Sequence, residues 1–507
     1  MFYFFILLNL VFFARLWIAS FYGLHPDEAY YYFWSQNPAM GYFDHPPMIS
    51  WMIRAGQKIV SLFFSIEAQN QDPLFYKLFS IRLVPSFFAG VIAPLTLGQC
   101  VQNIQKSSLR VSQMIFLITA PMLLVGPLLI TPDAPFFAAW ALCIFYSTKF
   151  LLSRPDEAWP GDATPFNPSK AVRLGVVLAF CAYSKYSAIL AFFLILICGA
   201  GLFNSLVAGL VSLALYIPHL YWNATVGLAE NAGIFFQINN GMGSQSAKAV
   251  YTRALDLVSS QIFLWTPLVF LIALFTPFVK WRKIFVQQKN SELIGTLFLW
   301  TFVPLIFFSL SSLKRPAEAN WPLIGLLSSL VLVLTQLFRR IFSLYAVLLS
   351  QFAILFVGFM IVTNSRVVAD LLRPYFPKIA EKLLQPSRLH EFEDWDKLHE
   401  IVFASTRSRT DIPIVVYNYQ TLSELLFEDQ ITEKSKTLGW ERFKIWEQAR
   451  RSQFNLHPEF IFKANVKTPY WFLSGSLEVA PDACRLYQTV FKSPTELKTY
   501  LIYRCAF

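Results

Sequence analysis

Charged side chains are scarce in this sequence. Asp, Glu, Lys and Arg make up only 14% of its 507 residues, against about 25% in an ordinary soluble domain. That shortage argues against a large soluble helical protein. Also missing are a Walker A pattern, a G-x-G-x-x-G pattern and any metal-finger spacing, so nothing signals nucleotide use. No internal repeat or low-complexity segment occurs. The net charge is +11, yet the cations are not gathered into one basic stripe, which argues against nucleic acid as a partner.

Cysteine is sparse too, at six residues. Cys100, Cys143, Cys181 and Cys198 lie in apolar blocks and read as small core residues. Cys484 and Cys505 lie in a polar tail, where they flank the strand-like runs "RLYQTVF" and "KTYLIYR". Two antiparallel strands there would bring the pair together in an oxidising compartment, the alternative being two free thiols.

Apolar sequence is plentiful instead: 55% of residues are hydrophobic and 17% aromatic. It comes in blocks of about 18–22 residues, the length that crosses a hydrocarbon core of roughly 30 Å. Eleven candidate spans are expected, at about 3–22, 79–103, 111–130, 134–152, 171–184, 187–203, 204–222, 260–279, 293–312, 321–338 and 341–363. The first block lacks a basic start and a small-residue cleavage pattern, so it reads as a retained span. Arg15 inside it either snorkels or faces a partner, and snorkelling is the expected arrangement.

The loop charges set an expected orientation. With the N-terminus cytoplasmic, one side carries Lys106, Arg110, Lys149, Arg154, Lys170, Arg173, "KWRK" at 280–283, Lys289, Arg339 and Arg340. The other side has only Lys185, Lys248, Arg253, Lys314 and Arg315 in its short connections. The asymmetry puts residues 23–78 and the tail from about 364 outside. Residues 1–363 then form a membrane domain, and 364–507 a small extracytoplasmic α/β domain. In that tail "IPIVVYNY" reads as a strand, "QTLSELLFE" as a helix and "DWDKLHEIV" as an amphipathic helix.

Every unusual polar motif falls on that outer side. The densest is "HPDEAYYYFWSQNPAMGYFDHPPMISW", residues 25–51. Asp27 and Glu28 suit either a helix N-terminus, where acids complement the dipole, or a general base for an acceptor hydroxyl. Asp44 and His45 are either a hydrogen-bonded turn or a metal or phosphate contact. "MISWMIRAGQKIVSLFF" reads as a helix lying in the interface. Asp133 in "TPDAP" is either a tight turn or a charge placed at the membrane edge. Lys185, Lys314 and Arg315 either bind headgroups or stabilise a phosphate leaving group. Tyr30, Tyr31, Tyr32, Phe33 and Trp34 are either an interfacial aromatic belt or contacts to sugar and acyl chain.

These residues carry a resemblance. "PDEAYYYFWSQNPAMGYFDHPPMISWMI" resembles the first-loop signature of bacterial GT-C glycosyltransferases related to dolichyl-phosphate-mannose-protein mannosyltransferases, whose kin include the lipid A aminoarabinose transferases. "TPDAP", "YSKYSAIL", "PHLYWNAT" with "FFQ", and "KRPAEANWP" follow in the family's order. The resemblance covers roughly residues 1–325. It implies the GT-C fold and a hexosyl- or pentosyltransferase of the cell envelope. Its site would face the outer side of a bacterial inner membrane. The donor would be a polyprenyl-phosphate sugar, and the acceptor a lipid such as lipid A, a glycan or a protein. Asp27 matches the expected catalytic base, with Glu28 beside it. Asp44, His45 and Asp133 match positions suited to a divalent metal. Lys185 matches a cation for the lipid phosphate, a role His45, Lys314 and Arg315 would share. Where the lipid A-modifying relatives often have Glu-Lys, this chain has Asp44-His45. The rival functions are a lipid-linked sugar flippase and a surface polysaccharide polymerase or ligase. A transporter should carry charges near the middle of several spans, whereas here they gather at one surface.

Overall fold

The computed structural model describes residues 1–153, 165–198, 200–242, 250–284, 288–314, 317–337, 341–377, 380–381, 394–432, 437–463, 469–475, 481, 484–491 and 499–506. Each of the eleven apolar blocks contains a helix. Six helices among the described residues are long and apolar enough to cross a membrane: Phe2–Ala19, Pro73–Gln105, Asp133–Leu152, Leu202–Glu230, Glu292–Ser312 and Leu344–Ile361. Two bent pairs, Val111–Thr119 with Pro121–Leu128 and Leu255–Ile262 with Pro267–Phe275, raise the number to eight. The remaining three expected spans form shorter helices, Pro168–Ser184, Tyr186–Ile197 and the helical stretch Trp321–Thr335. This is a multi-pass membrane protein. The 69° bend at residue 120 has a simple cause. Proline disfavours helical geometry in the residue before it, and Ala120 is extended, at ψ 119°.

The chain divides into two compact units. The first comprises Met1–Leu16, Ala39–Met52 and Leu83–Val357, and the second Trp17–Pro38, Ile53–Arg82 and Gly358–Phe507. The tail therefore clusters with both flanks of the first loop.

In the first unit the Asp133–Leu152 helix is buried along most of its length. Its alanines at 134, 138, 139 and 141 let neighbouring backbones approach closely. Trp140 meets Trp300 edge-on at 4.9 Å. Gly175 does the same for the Pro168–Ser184 helix, since a Cβ there would lie 2.7 Å from the Ala208 carbonyl. Arg15 does not snorkel. It donates to the carbonyls of Leu123 at 2.7 Å, Leu124 at 2.9 Å and Gly90 at 3.3 Å. The first two carbonyls lie just past the proline break, where the helical ladder is interrupted, and a guanidinium satisfies them.

The second unit holds a six-stranded sheet, ordered β3-β2-β1-β4-β6-β5. The strands are β1 (Ile414–Val416), β2 (Phe443–Trp446), β3 (Ile461–Phe462), β4 (Tyr470–Gly475), β5 (Cys484–Phe491) and β6 (Thr499–Cys505). β1 runs parallel to β2 and β4, and β6 antiparallel to β4 and β5. The Tyr419–Ile431 helix is the crossover between β1 and β2. Cys484 and Cys505 are opposite each other across β5 and β6 and are disulfide-bonded. The tail strands and helices thus stand where their patterns placed them. The residues between β5 and β6, 492–498, lie outside the described residues.

Candidate active site

In the second unit, the Pro26–Gln36 helix begins directly after the first span. Pro26 at its first position supplies a helical φ without wasting an N–H. His25 caps it: its Nδ1 accepts the Asp27 N–H at 3.1 Å, while Glu28 accepts the His25 N–H at 2.9 Å. This reciprocal box fixes the entry of the chain into the helix.

Glu28 is fully buried. Arg82 clasps it in a fork, Nε to Oε1 at 3.1 Å and Nη2 to Oε2 at 2.7 Å. The other donors of Arg82 go to the carbonyls of Ala19, Tyr22 and Gly23. All five guanidinium N–H groups are therefore used. Glu28, read from sequence beside the base, is closed off by this geometry and serves as an anchor of the loop.

Asp27 is different. Its side chain is 32% exposed. Oδ1 accepts a hydrogen bond from Gln420 Nε2 at 2.8 Å. Oδ2 lies 3.9 Å from His25 Nδ1, beyond hydrogen-bond reach. That ring nitrogen already accepts from the backbone. A carboxylate held at one oxygen and open at the other can take a proton from an incoming hydroxyl.

The aromatic run does not form a belt or a sugar platform. Tyr30, Tyr31, Tyr32 and Trp34 are buried. The Tyr30 hydroxyl accepts the Gln453 N–H at 2.6 Å, and that of Tyr32 donates to Gln430 at 2.8 Å. Phe33 packs on Phe454 at 4.5 Å. These rings seat the helix on the tail, because large rings at helical spacing bury best against another apolar surface. Burial also pushes the Tyr32 hydroxyl well above its ordinary pKa.

In the first unit, residues 39–52 are pinned by backbone contacts. His219, completely buried, donates from Nδ1 to the Met40 carbonyl at 2.6 Å. That bond fixes its proton at Nδ1, leaving Nε2 to accept from Asn223 at 2.9 Å and Tyr186 at 3.2 Å. The Trp222 indole lies where a Cβ on Gly41 would be, only 2.2 Å from it, so only glycine fits there. The carbonyls of Phe43 and Asp44 accept from Gly233 N–H at 2.8 Å and Gln237 at 2.7 Å. Asp44 is buried and His45 half-buried.

Asp133 is the first residue of the Asp133–Leu152 helix. Its Oδ1 pairs with Lys185 Nζ at 2.7 Å, and its Oδ2 accepts from Asn320 at 2.7 Å. Three segments that the sequence keeps far apart meet here, from "TPDAP", "YSKYS" and "KRPAEANWP". Lys185 and Asp133 are nearly buried, each about 10% exposed at the side chain. Lys185 has three ammonium donors, and Asp133 engages one. Lys314 is exposed, and its carbonyl accepts from Arg253 at 2.9 Å. Arg315 lies outside the described residues.

The expected metal set was Asp44, His45 and Asp133. Among the described residues no three His, Cys, Asp or Glu side chains gather closely enough to hold a cation. Both Asp133 oxygens are already engaged by nitrogen donors.

Four residues of this architecture escaped the sequence reading: Arg82, His219, Asn320 and Gln420. Arg82 carried a usable signal, being a charge inside an apolar block. Gln420 carried none, since an amide at a helix start is ordinary.

The chain matches the crystal structure of ArnT from Cupriavidus metallidurans in its apo state, with a TM-score of 0.56 and 12% identity over 98% of this chain and 97% of that one. The structure of the same ArnT bound to undecaprenyl phosphate matches with a TM-score of 0.55 and 14% identity, again over 98% and 97%. These likenesses establish the fold. In sequence, the chain is 23% identical over 329 residues to the lipid A galacturonosyltransferase RgtD of Rhizobium johnstonii. That match covers 62% of this chain and 60% of the relative's length, less than two thirds of it. No protein-family model matches the chain.

Proposed function

We propose that this protein is a membrane glycosyltransferase that moves a sugar from a polyprenyl-phosphate donor to a lipid acceptor outside the cytoplasm. The observation that carries the reading is the contrast between neighbours on one capped helix: Glu28 is closed by Arg82, while Asp27 keeps an open oxygen. In the reaction, Asp27 takes the proton of an acceptor hydroxyl. The hydroxyl oxygen attacks the anomeric carbon, and the bond from that carbon to the phosphate oxygen breaks. The polyprenyl phosphate leaves with the electron pair and needs no protonation. Lys185, anchored by Asp133, is assigned to the phosphate, where charge develops as the bond breaks. No step is routed through a metal, because the oxygens of Asp133 are committed to Lys185 and Asn320. The name of the curated relative makes lipid A the first acceptor to test, and the ligand of the solved neighbour makes undecaprenyl phosphate the first carrier.

The test is transfer from a polyprenyl-phosphate sugar to a lipid A acceptor by purified protein. Asp27→Asn should lower turnover about 10²–10⁴-fold while leaving membrane insertion intact. Near-normal turnover by the well-expressed variant would refute the assignment. The outward orientation is checked separately. A reporter fused after the tail should be active only in the exported compartment, as the loop cations require.

A further inference from the structure

The hydrogen bond from Gln420 to Asp27 joins residues 393 positions apart. Asp27 stands in the first loop, and Gln420 in the crossover helix of the tail's sheet. We infer that the tail supplies a positioning residue for the reaction: Gln420 holds the Asp27 carboxylate so that its other oxygen faces the acceptor. This inference rests on the reading of Asp27 as the base.

The surroundings of the bond are built to keep it. Gln420 is the second residue of the Tyr419–Ile431 helix, and its backbone N–H is held by the Asn418 side chain at 2.9 Å. The Tyr419 ring beside it packs on Tyr30 at 4.6 Å, one turn along from Asp27. Arg450 lies over the Tyr419 ring at 5.1 Å and donates to its hydroxyl at 3.1 Å. Tyr32 ties the same two helices together through Gln430, and Tyr30 ties the first-loop helix to the tail at Gln453. On its own helix Asp27 has no comparable restraint, since its neighbour Glu28 is taken by Arg82 and His25 is engaged by the backbone. A carboxylate at the start of a helix turns about its side-chain bonds unless a donor fixes it. A catalytic group misplaced by about 1 Å can lose 10²-fold in rate. The amide of Gln420 fits this task because it donates without adding a charge that would neutralise the base.

Two substitutions separate holding from mere packing. Gln420→Met keeps the length and loses the donor. Gln420→Glu keeps the shape and turns an oxygen toward Asp27. Turnover should fall about 10-fold in the first and further, about 100-fold, in the second, the scale of loss for a misplaced catalytic group. The KM for the polyprenyl-phosphate sugar should stay unchanged. The deciding measurement is the double variant with Asp27→Asn. Where Gln420 acts only through Asp27, adding Gln420→Met to Asp27→Asn costs nothing more. Independent, multiplied losses, or full turnover in both single variants with Asp27→Asn inactive, would overturn the inference and leave the base standing. An active Asp27→Asn protein would overturn the base itself.

Discussion

Glu28 with Arg82 in the second unit and Asp133 with Lys185 in the first are both desolvated ion pairs. They differ in the capacity left over. Arg82 is a planar fork whose donors all end on Glu28 or on backbone carbonyls. Lys185 is a point charge with one bond to Asp133 and room for others. The first pair can only hold the chain; the second can also meet an anion. Arginine suits the former because its geometry matches several fixed acceptors at once, and lysine the latter because its charge is compact and its donors rotate. Burial alone does not distinguish scaffold from site. The count of unused donors does.

The largest effect should come from breaking the closed pair. Arg82→Ala leaves Glu28 buried without its cation and three carbonyls without their donor, at a cost of about 3–5 kcal/mol. Little folded protein should be recovered from the membrane, and Arg82→Lys should not rescue it, because an ammonium cannot reproduce the fork. A melting temperature of Arg82→Ala close to that of the parent would show that the pair is not an anchor. Lys185→Ala should act at the open pair instead. We expect donor binding and turnover to fall about 10–100-fold. Stability should also drop, because Asp133 stays buried with only Asn320. Adding Asp133→Ala should restore much of the thermal stability and none of the turnover. Recovery of both would make Lys185 structural.

A third carboxylate sharpens the comparison by having no cation among the described residues. Glu428, on the tail's crossover helix, has its pKa raised to about 8 by burial and by the nearby charge of Asp396. Its folded value lies above its unfolded one. The stability it confers is therefore complete below about pH 4.5 and is lost as the pH rises through about 8. The loss is on the order of a few kcal/mol. Glu428→Gln should flatten this dependence, protecting the 419–431 amides more than the parent at pH 8 and about equally at pH 4.5. Amide hydrogen exchange of the two full-length proteins, compared at each pH, measures it. An identical slope in both would assign the dependence to other groups.

Much of this was legible in the chain. Helices follow from apolar blocks and the tail's strands from alternating runs, because both are local patterns. The disulfide was one of two readings open for the cysteines that flank two strand-like runs, and the structure decides it. Asp27, Asp133 and Lys185 were visible because charges at the membrane edge are rare. What stayed hidden was pairing. Nothing local in "PDEAYYY" says that Glu28 will meet Arg82, 54 residues on, or that Asp27 will meet Gln420. The aromatic run misled for the same reason: tyrosines that suit an interface equally suit a buried docking face, and the partner surface lies almost 400 residues away. Apolar length did not report the bends at Pro121 and Pro267, because a break in the helical path leaves the composition of a block unchanged.

Arg15 has a consequence for biosynthesis. The first span is made before anything it will pair with, and its guanidinium meets the Leu123 carbonyl 108 residues later in the chain. At about 5–20 residues per second, synthesis of that interval takes roughly 5–20 s. Through that delay the newly inserted helix carries a cation in the bilayer whose two shortest hydrogen-bond partners, the Leu123 and Leu124 carbonyls, do not yet exist, at roughly 2.5–3.5 kcal/mol on insertion scales. The first helix therefore reaches its final hydrogen bonding only once a later span has been made, and emergence of the Pro121 break is the event that locks it.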